Sequence, residues 1–398
     1  MTALCYNIPK NREGFALETR KLFYEDCHRK EFVARVTSCR ETEKGYLVTL
    51  DATAFYPEGG GQASDTGMLG NARVIHVQEQ GEEILHLCDR ALVVGEPVQG
   101  VIDYDRRFDL MQQHTGEHIL SGIIHRRFGY HNVGFHMGKE FIEIDFDGPI
   151  TQDEIAQIEA EANAVIWQNF PIKCWYPSEE ELPSVSYRSK RALPWPVRIV
   201  EVPGIDSCAC CGVHVESTGE VGVIKIVSCV KFHEGVRLEI LCGGRAYRYV
   251  SAVWEQNRQV SQSFSAKMLE TAEAARKMNE LLAAEKLRAG SMMKKWFGAI
   301  AESYVNCGDV LYFAQELKSG EVRELADLIA ETCGGRAAVF SGTDGEGYSF
   351  CMVSRKEDLR SLGKELTAAL NGRGGGKPEC QQGTVSTSRA EIEAFFNK

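Results

Sequence analysis

The chain has 398 residues, 43% hydrophobic and 25% charged, a balance typical of globular proteins with an ample core. That length calls for roughly two to three domains. No run of eighteen apolar residues occurs and Met1 to Arg12 contain no apolar signal segment, so no membrane span and a cytoplasmic location are expected. The formal charge of −11 means that any nucleic-acid contact must come from local basic clusters. Candidates are Arg106-Arg107, Arg126-Arg127, Arg188 to Arg191 and Lys294-Lys295. The 14 cysteines are scattered and read mostly as reduced core residues, with Cys208, Cys210 and Cys211 as the exception.

Short runs dominate the first ninety-odd residues: Phe32–Val36, Gly45–Leu50 and Ala72–Val77 read as strands between Gly, Asp and Glu clusters. They suggest a small β-barrel or sandwich over residues 1–95. Residues 96–244 predict an α+β core. Its elements are a helix around His114 and His118, strands at Glu140–Phe146, Arg198–Val202, Val221–Val227 and Arg237–Cys242, and a helix at Asp153–Asn169. From Arg245 to about Ala289 there is neither proline nor glycine, and Val260, Phe264, Met268, Ala275, Met278 and Leu282 recur on one stripe. This predicts one long helical linker over 245–300, continuing or breaking at Gly290, with a coiled-coil dimer as one use of its apolar stripe. Residues 301–398 read as a compact α/β module. Strands are expected at Val310–Phe313, Ala337–Phe340 and Tyr348–Val353, helices at Gly320–Glu331 and Leu359–Leu370, and a glycine-rich loop after the last of these.

Two half-motifs carry the chemistry. In His114-x-x-x-His118 the spacing places two imidazoles on one helical face, within reach of a single transition-metal ion. Cys210-Cys211-Gly212-Val213-His214 is a tight turn bringing a thiolate and an imidazole to one point. Three nitrogens and one sulfur suit Zn²⁺.

These motifs resemble the editing domain shared by alanyl-tRNA synthetases and the free-standing alanyl-tRNA editing proteins, the AlaX family. The family turn is Cys-Gly-Gly-Thr-His; here its second and fourth positions differ while both presumed ligands remain. Phe55 to Gly67 resembles the family's glycine-rich F-Y-x-x-x-G-G-Q-x-x-D-x-G segment, and Asn371 to Pro378 the signature of the DHHA1 domain at the synthetase C-terminus. The resemblance implies a long-form editing protein: an enzyme that deacylates mischarged tRNA(Ala), mainly Ser-tRNA(Ala), with Gly-tRNA(Ala) as a second substrate. A full synthetase is disfavoured, because the blocks begin near residue 50.

It also implies site roles. His114, His118, Cys210 and His214 would hold zinc, with Cys208 and Cys211 as alternate thiolates. Gly59, Gly60, Gly61 and Gln62 would admit and bind the ester or ribose, His136 would position or deprotonate the water, and Thr115 would read a serine hydroxyl. Arg373 and Lys377 would contact the tRNA backbone. A homodimer through the linker or the C-terminal module is a further expectation. The alternatives are a non-catalytic tRNA-binding protein with a structural zinc and, lower in rank, a metal-dependent phosphoesterase, which the lack of an Asp-His-His motif disfavours.

Overall fold

The computed structural model describes residues 18–189 and 193–397. The chain divides into two compact units between Arg258 and Gln259.

Strict alternation builds the first barrel strand. In Glu31–Thr42 (β1) Phe32, Ala34 and Val36 are buried while Val33 and Arg35 are exposed, the period-two pattern of a strand with one inner face. Gly45–Leu50 (β2), Gly67–Leu69 (β3), Ala72–Gln80 (β4), Glu83–Cys88 (β5) and Pro97–Ile102 (β6) follow. The six close into a barrel in the order β1-β2-β5-β4-β3-β6, every neighbour antiparallel.

A central helix, Tyr104–Phe128 (α1), leaves the barrel. Asp103 caps its start by accepting from the Arg106 amide, and Gly129 ends it in the left-handed conformation at φ 74°. Every residue from Leu110 to Ile124 is buried, polar ones included. A helix enclosed on all sides must satisfy its polar groups internally. Gln112 and Gln113 do so by donating to the Glu220 and Cys242 carbonyls.

Around α1 stand Asn132–Met137 (β7), Ile142–Phe146 (β8), the helix Gln152–Trp167 (α2), Lys173–Trp175 (β9), Ile199–Val202 (β10), Asp206–Ala209 (β11), Ile224–Phe232 (β12) and Gly235–Cys242 (β13). They form a four-stranded antiparallel sheet, β12-β13-β8-β7, and a three-stranded one, β9-β10-β11. One hydrophobic core runs from Val36 and Leu50 of the barrel through Ile119 and Ile123 to Ile142 and Leu238, so residues 95–96 mark no break in packing.

The expected single linker helix is corrected. It is two helices, Gly243–Ser263 (α3) and Thr271–Ser303 (α4), interrupted at residues 264–270 and continuous through Gly290. Ser263 turns its hydroxyl back onto the Gln259 carbonyl and Ser265 takes a left-handed φ of 50°, closing the turn. Serine competes with the helix backbone in this way, and the apolar stripe does not reveal it. Phe264 and Met268 therefore lie outside both helices.

In the second unit the strands Gly308–Ala314 (β14), Gly334–Thr343 (β15), Gly347–Ser354 (β16), Gly372–Lys377 (β17) and Cys380–Val385 (β18) form one mixed sheet in the order β14-β15-β16-β18-β17. Ser319–Thr332 (α5) joins the parallel pair β14 and β15 and packs Leu325 and Ile329 against Val339 and Val353. The other face buries Phe340 and Phe350 under Arg360–Ala369 (α6) and Arg389–Phe396 (α7). The glycine-rich segment is thus no loop. It is the edge strand β17, paired antiparallel with β18. No helix among the described residues is long and apolar enough to cross a membrane.

Candidate metal centre and its cavity

The two half-motifs meet. His114, His118, Cys210 and His214 offer ligand atoms that all lie within 4.8 Å of one another. The His214 ring sits 4.5 Å from each of the other two by ring centroids, and Cys210 Sγ lies 3.5 Å from His114 Nε2. His114 and His118 project from neighbouring positions of α1. The turn that delivers Cys210 and His214 is held by Arg198, whose Nη1 donates to the Cys210 and Gly212 carbonyls. Gly212 is required there: a Cβ would fall 2.1 Å from His114 Cε1.

Each imidazole is oriented from behind through Nδ1. His114 Nδ1 meets Gln62 Oε1 at 2.9 Å, His118 Nδ1 meets Asp206 Oδ2 at 3.1 Å, and His214 Nδ1 meets Thr115 Oγ1 at 3.1 Å. Outer partners of this kind set the tautomer and leave the other ring nitrogen free to ligate. Here that other atom is Nε2, and the buried Nε2 of His214 has no hydrogen-bond partner. An orphaned lone pair facing a thiol and two imidazoles fits a metal ion.

The charges agree. Burial opposes ionisation of Cys210, yet the surrounding imidazoles hold it well below the usual thiol value. Burial and the two neighbouring histidines push His214 down to about 3. Burial pulls on His118 in the same sense, but hydrogen bonds to Asp206 and Cys210 outweigh it and set that group well above its usual value. Burial would raise Asp206; His118 and Arg188 instead hold it at about 2. Arg188 spans both carboxylate oxygens, at 2.6 and 2.8 Å. Burial pushes the Cys208 thiol up to about 11, and Cys211 is exposed. Of the three cysteines, Cys210 is the one that shares a cluster with all three histidines and the one held below its usual value.

A cavity of about 990 Å³ opens onto this cluster, lined by Gly60, Gly61, His114, Glu117, His118 and Cys210 among others. Gly60 and Gly61, at φ 60° and 85°, form the tight turn between Gly59 and Gln62 that reaches the wall. Gly59 is not part of the lining.

Three assignments made from sequence change place. Gln62 and Thr115 are fully buried behind the cluster, committed to His114 and Val213 and to His214 and Val215 respectively. Neither lines the cavity, and each orients a histidine of the cluster from behind. His136 is corrected more sharply. On β7 it is exposed and absent from the cavity, while its neighbour Phe135 lines the cavity and stacks on His114 at 5.5 Å. Successive strand residues point to opposite faces, so only one of the two can reach the site. The basic clusters also divide: Arg107 is fully buried in a pair with Asp65 of the glycine-rich segment, and Arg188 serves Asp206, whereas Arg126 lines the cavity.

Sequence reasoning missed Glu117, Asn132 and Asp206. Glu117 stands between the two motif histidines and Asp206 four residues before Cys210, so position relative to the motifs was the available signal.

The barrel, the histidine-bearing helix and the Cys-His turn lie in a chain that is similar to aminoacyl-tRNA synthetases and their relatives. The family model of class II (A) tRNA synthetases matches residues 10–106, that of the threonyl and alanyl tRNA synthetase second additional domain matches 197–238, and that of the DHHA1 domain matches 307–398. Alanine–tRNA ligases of Ignicoccus hospitalis and Thermofilum pendens are 37% and 31% identical over 62% and 94% of the chain. The matched regions are only 28% and 43% of those ligases. The alanyl-tRNA editing protein Aarsd1 of Danio rerio is 27% identical over 94% of the chain and 96% of its own length. The chain is thus similar over nearly its whole length to alanyl-tRNA editing proteins, and it spans less than half the length of the alanine–tRNA ligases it matches.

Proposed function

We propose that this chain is a trans-editing hydrolase that deacylates mischarged tRNA(Ala), chiefly Ser-tRNA(Ala) and also Gly-tRNA(Ala), in the cytoplasm. The observation that carries this reading is the buried three-imidazole, one-thiolate cluster opening into a cavity of about 990 Å³. The donor set is best suited to Zn²⁺, held by His114, His118, Cys210 and His214. When bound, zinc would supply Lewis acidity toward the ester carbonyl.

The chain's own residues do the rest. Gln62, Thr115 and Asp206 fix the three rings, and Arg188 keeps Asp206 charged. Gly60 and Gly61 present backbone without side chains to the cavity, so the terminal ribose can approach closely. Phe135 covers His114 and limits water at that ring. Selectivity for serine over the smaller alanine requires a polar partner inside the pocket, since size alone admits both.

Arg373 and Lys377 share one face of β17, both exposed and without an ion pair among the described residues. They would meet the tRNA backbone at a distance from the ester. The exposed Met278, Leu282 and Met292 of α4 would seat a second copy of the chain.

The test is release of labelled serine from Ser-tRNA(Ala), with Ala-tRNA(Ala) as control, by metal-loaded and by chelated protein. Rapid release from the seryl ester alone, lost on chelation, is the expected result. A closed set of four protein ligands also suits a structural zinc. tRNA binding without any release would establish that second reading.

A further inference from the structure

Midway along α1 a buried carboxylate stands without a Lys or Arg ion pair among the described residues. Glu117 has a side chain only 7% exposed. Its Oε1 accepts from Ser121 Oγ at 2.5 Å and from Asn132 Nδ2 at 2.6 Å, both neutral donors. Its Oε2 makes no hydrogen bond among the described residues, and its nearest basic atom is His118 Nε2 at 3.8 Å, which belongs to the cluster. No Lys or Arg among the described residues forms an ion pair with it; Arg188, which feels its charge, is bound to Asp206.

Asn132 adds a second waiting acceptor. Because a carboxylate oxygen can only accept, the amide must turn Nδ2 toward Glu117, which fixes Oδ1 on the other side. That Oδ1 is buried and has no partner. Its position follows from the β7–β8 ladder, where Gly134 pairs with Asp145 but Asn132 pairs with Phe146, leaving Val133 as an extra residue. The bulge shifts the strand's parity, so Asn132 and Phe135, three residues apart, both line the cavity.

Two residues that line the same cavity as the metal cluster therefore each keep one oxygen, Glu117 Oε2 and Asn132 Oδ1, for which no donor is at hand among the described residues. Buried groups in that state are costly unless a partner arrives. The complementary chemistry is a small cation with several N–H donors. We propose that Glu117 and Asn132 form the seat of the α-ammonium group of the aminoacyl ester, a proposal that rests on the editing reading. The seat would make the site read a free amine and refuse N-acylated esters such as peptidyl-tRNA, which carry neither the charge nor the donors.

Binding tests this directly. The probes are 3′-deoxy-3′-serylamino-adenosine, whose amide replaces the ester, and its N-acetyl derivative, each titrated by calorimetry into the zinc-loaded full chain. Wild type is expected to favour the free amine by about 10- to 100-fold, the range of a hydrogen-bonded charged group. Glu117→Gln should bind both probes with near-equal affinity while retaining its zinc. Asn132→Ala, which leaves the carboxylate in place, should weaken only the free-amine probe and serves if the first variant fails to fold. A preference that survives in both variants overturns the proposal, as does a wild type that binds the probes equally or binds neither. Hydrolysis of Ser-tRNA(Ala) by the same preparation reports separately on whether the editing reading stands.

Discussion

Asp206 and His118 are 88 residues apart in the chain, yet Asp206 Oδ2 lies 3.1 Å from His118 Nδ1. Arg188 grips the same carboxylate from its other side. The pair links β11 to the centre of α1 and fixes which nitrogen of His118 faces Cys210.

Loss of that carboxylate should loosen the metal. Asp206→Asn is expected to lower zinc affinity by about 10- to 100-fold, the usual effect of removing an outer partner of a ligating histidine. Competition with a chromogenic chelator measures it. Unchanged affinity would leave Asp206 a purely architectural role.

Among the neighbouring thiols, only Cys210 is held below its ordinary value, while Cys208 and Cys211 are pushed above it. Cys210→Ser should abolish stoichiometric zinc, whereas Cys208→Ser and Cys211→Ser should retain one equivalent per chain. Elemental analysis decides, and zinc lost only from the Cys208 variant would reassign the thiolate.

His136→Ala should leave single-turnover deacylation of Ser-tRNA(Ala) within about threefold of wild type. A general base in that position would cost on the order of 10²–10⁴. A loss of that size would show that the exposed face of β7 takes part after all.

The convergence of His114, His118, Cys210 and His214 was legible in the sequence, because helical spacing and a Cys-to-His turn are local signals. Sequence reasoning misplaced Gln62, Thr115 and His136, because whether a polar residue faces a cavity or the back of a ligand depends on tertiary packing. For His136 the deciding feature was strand parity next to a bulge at Val133, which no local pattern discloses. The same limit applies to residues 264–270: the apolar stripe continues across them, while serine–backbone hydrogen bonds end the helix. The glycine-rich segment at Gly372–Lys377 lacks side chains that signal a strand, and only pairing with β18 makes it one.

The metal-free protein should lose stability on acidification. His214, at about 3 when folded against an ordinary 6.5, is protonated first in the unfolded chain, so stability falls as pH drops from about 6.5 toward 3. Asp206, lowered from 3.8 to about 2, extends the loss at the acid end. Cys210, well below its ordinary 9.0, contributes stability that is full above pH 9 and erodes as pH falls. His118, raised above 6.5, contributes in the opposite sense, its stabilisation eroding as pH rises. Between about pH 6.5 and 9 these last two offset each other. Urea midpoints of chelated protein should be similar at pH 8 and 7 and clearly lower at pH 5; equal midpoints at pH 7 and 5 would contradict the assigned ionisation states.

A chain ending at Ser265 should fold and bind zinc, because the first unit has its own continuous core and ends before the interruption at residues 264–270. Its maximal rate on Ser-tRNA(Ala) should be nearly retained while KM rises. Titration at several salt concentrations should show a weaker dependence on salt than the full chain. Identical affinity and salt slope would remove the C-terminal unit from tRNA binding.

The edge strand β17 has a further consequence. Four of its six residues are glycine, so it offers a bare row of amides and carbonyls on which another strand could settle. Arg373 and Lys377 flank that row, and charge repulsion between identical copies is a standard guard against edge-to-edge growth. Neutralising both residues to study RNA contacts would therefore also disarm this protection. Such a variant should be followed by light scattering, since its apparent loss of tRNA affinity could come from filament-like self-association that hides the surface.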